Sequence, residues 1–277
     1  MIRKAIIISI EKDKLTNKEF NLIRFKKPWG VILFKRNIKN YIQTKKLIKK
    51  IRVAIQDKKY PILIDEEGGT VSRLTNIINQ KIFSQKLFGD IYEKNANVGL
   101  KLYSNYISKI CKILKDLGIN INTVPVLDLK HKKTHKIIGT RAYSDRINIV
   151  NNLGKFCIKN YKLNKIGTVI KHIPGHGSSN KDSHLELPIV KKKYKDLKKS
   201  DFACFKNSQS FFAMTAHIKY FDIDSAHVST FSKKIIKNII RKYLSYKGIL
   251  ISDDISMKAL KYDLIINALK SLKSGCN

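Results

Sequence analysis

The sequence predicts an α/β fold built on a parallel sheet. Three observations carry this: short continuous apolar runs recur along the chain, stretches with helical apolar spacing separate them, and titratable residues stand directly after the runs. The runs are 5–10, 30–34, 61–64, 119–126, 167–170, 211–215 and 248–251. Most are β-branched and do not alternate with polar residues, as expected of strands covered on both faces. Their number, about seven, is one short of an eight-stranded barrel.

The first run follows Arg3-Lys4 and is followed at once by Glu11-Lys12-Asp13-Lys14, with no small-residue cleavage pattern. It is read as a buried strand rather than a signal peptide. Helical spacing joins Ile38, Tyr41, Ile42, Ile48, Ile51 and Ile55, and again Leu100, Tyr103, Ile107, Ile110, Cys111 and Leu114, the latter meeting Gly118 where a C-terminal glycine belongs. Ile235, Ile236, Ile239, Ile240 and Tyr243 repeat the pattern, and a last helix is expected over 262–274. No run of about 18 apolar residues exists, so no membrane span is expected.

The 277 residues carry 56 Lys+Arg against 21 Asp+Glu, a net charge of +35. Such a charge invites a polyanion-binding role. The lysines, however, are scattered in ones to threes, no helix concentrates a basic face, and abundant Lys, Ile and Asn are what A/T-rich codons produce. A lysine-rich solvated surface is the plainer reading, and no nucleic-acid partner is expected. The 43% hydrophobic content supports a folded core. Cys111, Cys157, Cys204 and Cys276 form no C-x-x-C pair, which argues against a zinc knuckle or disulfide scaffold and fits a reducing cytoplasm.

The strand tips carry the chemistry. Asp65 follows 61–64, Asp128 ends the run through Val126, Lys171-His172 follows 167–170, His217 follows 211–215 and Asp253-Asp254 follows 248–251. All are C-terminal edges, where parallel α/β folds build their sites. Asp65-Glu66-Glu67-Gly68-Gly69 reads either as a ligand-approaching turn or as an acidic loop capping the next helix. Lys171-His172-Ile173-Pro174-Gly175-His176-Gly177 continues to Asp182-Ser183-His184; Pro and Gly keep these histidines on a loop. Lys171 and the absence of H-E-x-x-H argue against a metal site. Asp182 is close enough to His184 to orient its imidazole for acid/base work. In Ser252-Asp253-Asp254-Ile255-Ser256-Met257, one aspartate is a candidate nucleophile and the other a cap for a helix beginning near Ser256.

Taken together, D-E-E-G-G-x-V-x-R, K-H-x-P-G-H-G with D-S-H eight residues on, and S-D-D-x-S-M resemble the family 3 glycoside hydrolases, more narrowly the NagZ-type β-N-acetylhexosaminidases. The resemblance runs from about Gly30 to Met257. It implies a TIM (β/α)8-type barrel forming one catalytic domain over residues 1–277, with Asp253 as nucleophile, His184 as acid/base and Asp182 as its partner. It also implies that Asp65, Arg73, Arg141, Lys171 and His172 grip a terminal N-acetylglucosamine. The implied substrate is an N-acetylglucosaminyl anhydro-muropeptide of cytoplasmic cell-wall recycling, with water or phosphate as acceptor, a loop that closes over the sugar, and no cofactor or metal. The family continues beyond Ser274-Gly275-Cys276-Asn277, so the expected barrel is truncated before its eighth strand. A remnant without activity is the alternative reading and a polyanion-binding protein the third. Oligomeric state is not legible.

Overall fold

Strands Lys4–Ser9 (β1), Pro28–Leu33 (β2), Ile62–Ile64 (β3), Ile121–Asn122 (β4), Gly167–Ile173 (β5), Phe212–Thr215 (β7) and Ile249–Ser252 (β9) form one seven-stranded sheet in the order β1-β2-β3-β4-β5-β7-β9. Each neighbouring pair is parallel. A second, two-stranded parallel sheet joins Ile189–Val190 (β6) to Lys219–Tyr220 (β8), which the apolar runs did not announce. The computed structural model describes every residue except Met1, Lys133, Lys136, Ile137, Asn180, Asp182, His184 and Gln209.

The helices are Asn17–Lys26 (α1), Tyr41–Ile55 (α2), Gln85–Lys94 (α3), Ala96–Leu117 (α4), Ile147–Leu163 (α5), Tyr194–Lys198 (α6) and Leu264–Ser274 (α7), with a π-helical segment Ile235–Tyr243. Local chemistry sets their ends. Thr16 and Glu19 form a capping box on α1, Asn95 caps α4, and Gly118 closes α4 at φ 93°. Ile38 precedes α2 rather than joining it. The apolar spacing did not single out α1, α3 or α5.

Strand periodicity divides the core in two. Val31, Leu33, Ile62, Ile64, Ile170, Ala213 and Leu250 point to the helices and join the larger cluster. Leu63, Ile121, Val169, Phe212, Met214 and Ile251 point the other way and pack together with Ile7, Trp29, Ile32 and Ile249 inside the curl of the sheet. Continuous apolar runs are therefore required, because both faces are covered.

Four expectations are corrected. His172 is not on a loop: β5 runs on through Ile173 and carries both Lys171 and His172. β1 is a strand but not a buried one: it pairs only with β2, and Ile6 is 47% exposed. The run 119–126 yields only two strand residues, since Pro125 offers no N–H to a ladder, although Val126 bridges Lys171. No helix starts near Ser256; α7 begins at Leu264 under an Asp263 cap. All four cysteines are free and buried: Cys111 on α4, Cys157 on α5, Cys204 after α6 and Cys276 after α7. Among the described residues, no helix is long and apolar enough to cross a membrane.

Candidate active site

Two residues beyond an inward-facing apolar residue, the next side chain on the same face reaches the C-terminal edge. Leu63 leads to Asp65, Ile121 to Thr123, Val169 to Lys171 and Ile251 to Asp253. These ends meet in a cleft of about 610 Å³ lined by Asp65, Glu67, Arg73, Arg141, Lys171, His172 and Asp253. Every expected sugar-gripping residue is thus brought together with Asp253. Asp182 and His184 lie outside the described residues.

The acidic turn after β3 divides its labour. Gly68 and Gly69 have φ of 81° and 60°, and a Cβ on Gly68 would stand 2.2 Å from the Phe83 carbonyl, so only glycine serves there. Glu66 turns away from the cleft and accepts from Ser72 Oγ, the Arg73 and Leu74 N–H groups and Gln80 Nε2 at 2.9–3.1 Å. Burial raises its pKa to about 7 against those donors. Glu67 turns inward and receives Arg141 in a two-pronged pair at 2.7 and 2.9 Å. Burial would raise Glu67, but Arg141 and Lys171 outweigh it and hold the carboxyl at about 2.

Lys171, only 2% exposed, is saturated: its ammonium reaches Glu67 at 2.6 Å, Thr123 Oγ1 at 2.8 Å and Asp65 at 3.2 Å. Asp65 also pairs with Arg73 at 3.3 Å and accepts from Thr123. Burial opposes its ionisation, yet Lys171 and Arg73 keep it far below the usual carboxylate range. The Arg73 guanidinium lies over the Phe34 ring, and its buried Nε has no partner among the described residues.

His172 links the cations to Asp128. Arg141 Nη2 lies 3.3 Å from His172 Nε2, and a guanidinium only donates, so Nε2 accepts and Nδ1 carries the proton. That Nδ1–H donates to Asp128 at 2.6 Å. Asp128 also accepts the His176 backbone N–H at 2.6 Å, tying the histidine loop to the end of β4. Burial would raise Asp128, but His172 and His176 hold it low. His176 is itself buried; Nε2 faces Ser183 Oγ at 3.2 Å, Nδ1 has no partner among the described residues, and burial depresses its pKa to about 4.

Asp253 accepts the Asp254 N–H on Oδ1 at 2.8 Å. Burial would raise its pKa, but the imidazoles of His172 and His217, the Asp254 N–H and Lys171 keep it ionised at neutral pH. Asp254 does not cap a helix; it accepts Ser256 N at 2.9 Å and Ser256 Oγ at 2.7 Å within a turn. Among the described residues no group of three or more His, Cys, Asp or Glu is arranged to hold a metal ion. An ionised carboxylate facing a cleft of fixed donors and acceptors can attack an electrophilic carbon and bind hydroxyl groups.

Sequence reasoning had not assigned Glu67, Thr123, Asp128 or His176 to the site. Asp128 carried a signal, since it ends an apolar run at the same edge. Glu67 carried none that separates it from Glu66.

The family model of the glycosyl hydrolase family 3 N terminal domain matches residues 5–277. A beta-hexosaminidase of Bordetella avium (strain 197N) is 28% identical over 277 residues, covering 98% of this chain and 78% of that protein. NagZ from Neisseria gonorrhoeae, solved in complex with N-trifluoroacetyl-D-glucosamine, superposes with a TM-score of 0.89 at 27% identity, covering 99% of this chain and 80% of that one. A family 3 beta-N-acetylglucosaminidase from Paenibacillus sp. str. FPU-7 superposes with a TM-score of 0.88 at 25% identity, over 98% of this chain and 52% of that chain.

Proposed function

The chain belongs to glycosyl hydrolase family 3 and is a glycoside hydrolase, and from that premise we propose that it releases terminal β-linked N-acetylglucosamine by a retaining double displacement. The observation that carries the proposal is the single cleft in which Asp65, Arg73, Arg141, Lys171 and His172 stand around Asp253. Residues 1–277 act as one catalytic domain on a (β/α)8-type barrel plan.

Asp253 attacks the anomeric carbon while His184, oriented by Asp182, gives a proton to the departing oxygen. The bond from C1 to the Asp253 carboxylate forms as the bond from C1 to the aglycone breaks. His184 then takes a proton from water, which attacks C1 and returns Asp253. The low pKa of Asp253 supports its role, because the carboxylate enters the reaction already ionised. A histidine in place of the second carboxylate of other retaining glycosidases does not repel an incoming anion, so the acceptor is either water or phosphate. Asp65, Arg73, Arg141, Lys171 and His172 take the sugar hydroxyls, which replace part of the contacts these side chains make with one another. The substrate class is an N-acetylglucosaminyl anhydro-muropeptide in cytoplasmic cell-wall recycling. The chemistry calls for no metal or cofactor.

The test is turnover of an aryl β-N-acetylglucosaminide beside the aryl β-glucoside. Hydrolysis of the first alone is expected. Asp253→Asn should lower kcat by about 10³-fold or more while the affinity for N-acetylglucosamine stays within about threefold. A variant that keeps its turnover would overturn the nucleophile assignment.

A further inference from the structure

One buried histidine outside the groups assigned above is committed on both ring nitrogens. His217 follows β7 and is 1% exposed. Its Nε2 lies 3.0 Å from the Asp254 carbonyl oxygen and its Nδ1 2.8 Å from Thr230 Oγ1. Thr230 Oγ1 is in turn 2.8 Å from Thr215 Oγ1, on the last residue of β7.

The proton order follows from the partners. A carbonyl only accepts, so Nε2 carries the hydrogen. Burial keeps the ring neutral, so Nδ1 accepts from the Thr230 hydroxyl, which lies nearer to it at 2.8 Å than to its other acceptor, the Ala216 carbonyl oxygen at 3.3 Å, and the Thr215 hydroxyl donates to Thr230. The ring is pinned in one tautomer and one orientation. It spans the ends of two neighbouring strands, since Thr215 pairs with Ser252 across β7 and β9.

The far end of this chain is the backbone that holds Asp253. His217 fixes the Asp254 carbonyl, and the Asp254 N–H holds Asp253 Oδ1 at 2.8 Å. Asp253 Oδ2 has no hydrogen-bond partner among the described residues. We propose that His217 is a positioning residue for Asp253: through the Asp254 backbone it holds one carboxylate oxygen, so that the other meets the anomeric carbon at a fixed place. The Thr215–Thr230 pair fixes His217 in its turn. This inference rests on Asp253 being the nucleophile.

A fluorinated N-acetylglucosaminyl fluoride tests it. In that reaction an Asp253 oxygen bonds to C1, the C1–F bond breaks and fluoride leaves without a proton, so the labelling rate reads the nucleophile apart from the acid. Intact mass gives the rate, and a peptide map gives the residue labelled. His217→Phe should label about 10²-fold more slowly, the scale of a misplacement near 1 Å, while sugar affinity stays within about threefold. His217→Gln, which restores an N–H near Nε2, should return the rate to within about tenfold of the parent. Labelling of folded His217→Phe at the parent rate overturns the inference, as does loss of sugar affinity in step with labelling. If His217→Phe does not fold by circular dichroism, Thr230→Val is read instead; it should slow labelling about fivefold at unchanged affinity, and an unchanged rate overturns the inference. A label on a residue other than Asp253 in the parent overturns the nucleophile assignment and this inference with it.

Discussion

His176 is held neutral by its surroundings, and this makes it a lever on stability. Its folded pKa of about 4 lies below the usual 6.5, so between those values the unfolded chain binds more protons than the folded one. Stability from this group is complete above pH 6.5 and is lost as pH falls toward 4. The full shift is worth about 3 kcal/mol. Glu66, with its pKa raised to about 7, acts in the opposite sense: its contribution is present below 4.5 and fades as pH rises through 7. Comparing variants separates the two. His176→Gln should flatten the fall in unfolding free energy between pH 6.5 and 4, measured by urea titration; an unaltered slope would mean the ring is not held neutral. At this scale the sequence was informative wherever strand parity decides direction: Ile251-x-Asp253 and Val169-x-Lys171 place both side chains inward. It was silent on Glu66 against Glu67. Which of two adjacent carboxylates faces the cleft depends on a glycine turn and on Arg141, seventy-four residues away.

Among the elements, the histidine loop is held at its stem. Gly177 approaches the β4 side so closely that a Cβ would stand 1.9 Å from the Leu129 carbonyl. Buried Asp201 accepts from Ser178 N at 2.8 Å and Ser178 Oγ at 2.6 Å, and Ser183 O accepts from Ala259 N at 3.2 Å beyond β9. Gly177→Ala should therefore push the stem outward and lower kcat on every substrate, by about 10²-fold, with folding retained. Normal kcat would show that the stem tolerates displacement. His184→Ala is a different kind of change. It should slow glycosides with poor leaving groups by about 10²–10⁴-fold but spare activated aryl glycosides in the first step, because only the former need a donated proton. Equal losses on both would remove its acid role. Strands were legible because a two-sided core demands unbroken apolar runs. Sheet edges were not, since β1 has the composition of an inner strand and only its neighbours decide its exposure. The π-helical segment shows the same limit: Ile235, Ile236, Ile239 and Ile240 are buried as their spacing implies, while the bonding pattern follows from packing.

For the molecule as a whole, charge and chemistry are separated in space. The chain carries +35, but the cleft sets four carboxylates (Asp65, Glu67, Asp253, Asp254) against four fixed cations (Arg3, Arg73, Arg141, Lys171). The positive field therefore acts on approach and not on the reacting atoms. With a carboxylate-bearing substrate, kcat/KM should fall about tenfold between about 10 mM and 150 mM salt while kcat holds steady. A neutral aryl glycoside should show neither change. A salt-sensitive kcat would place the field inside the cleft. The α/β class was legible from the alternation alone; the second sheet was not, because β6 and β8 are two residues each and leave no period to read.

The four buried thiols give the protein an internal clock of its own opening. Burial pushes Cys111, Cys157 and Cys276 up to about 12 and Cys204 up as well, so at neutral pH none presents a thiolate to solvent while the fold is closed. They sit on or beside α4, α5, α6 and α7, spread along the length of the chain. The order in which a thiol reagent modifies them therefore records which part of the sheet-and-helix shell loosens first, and simultaneous modification records a fold that opens as one unit.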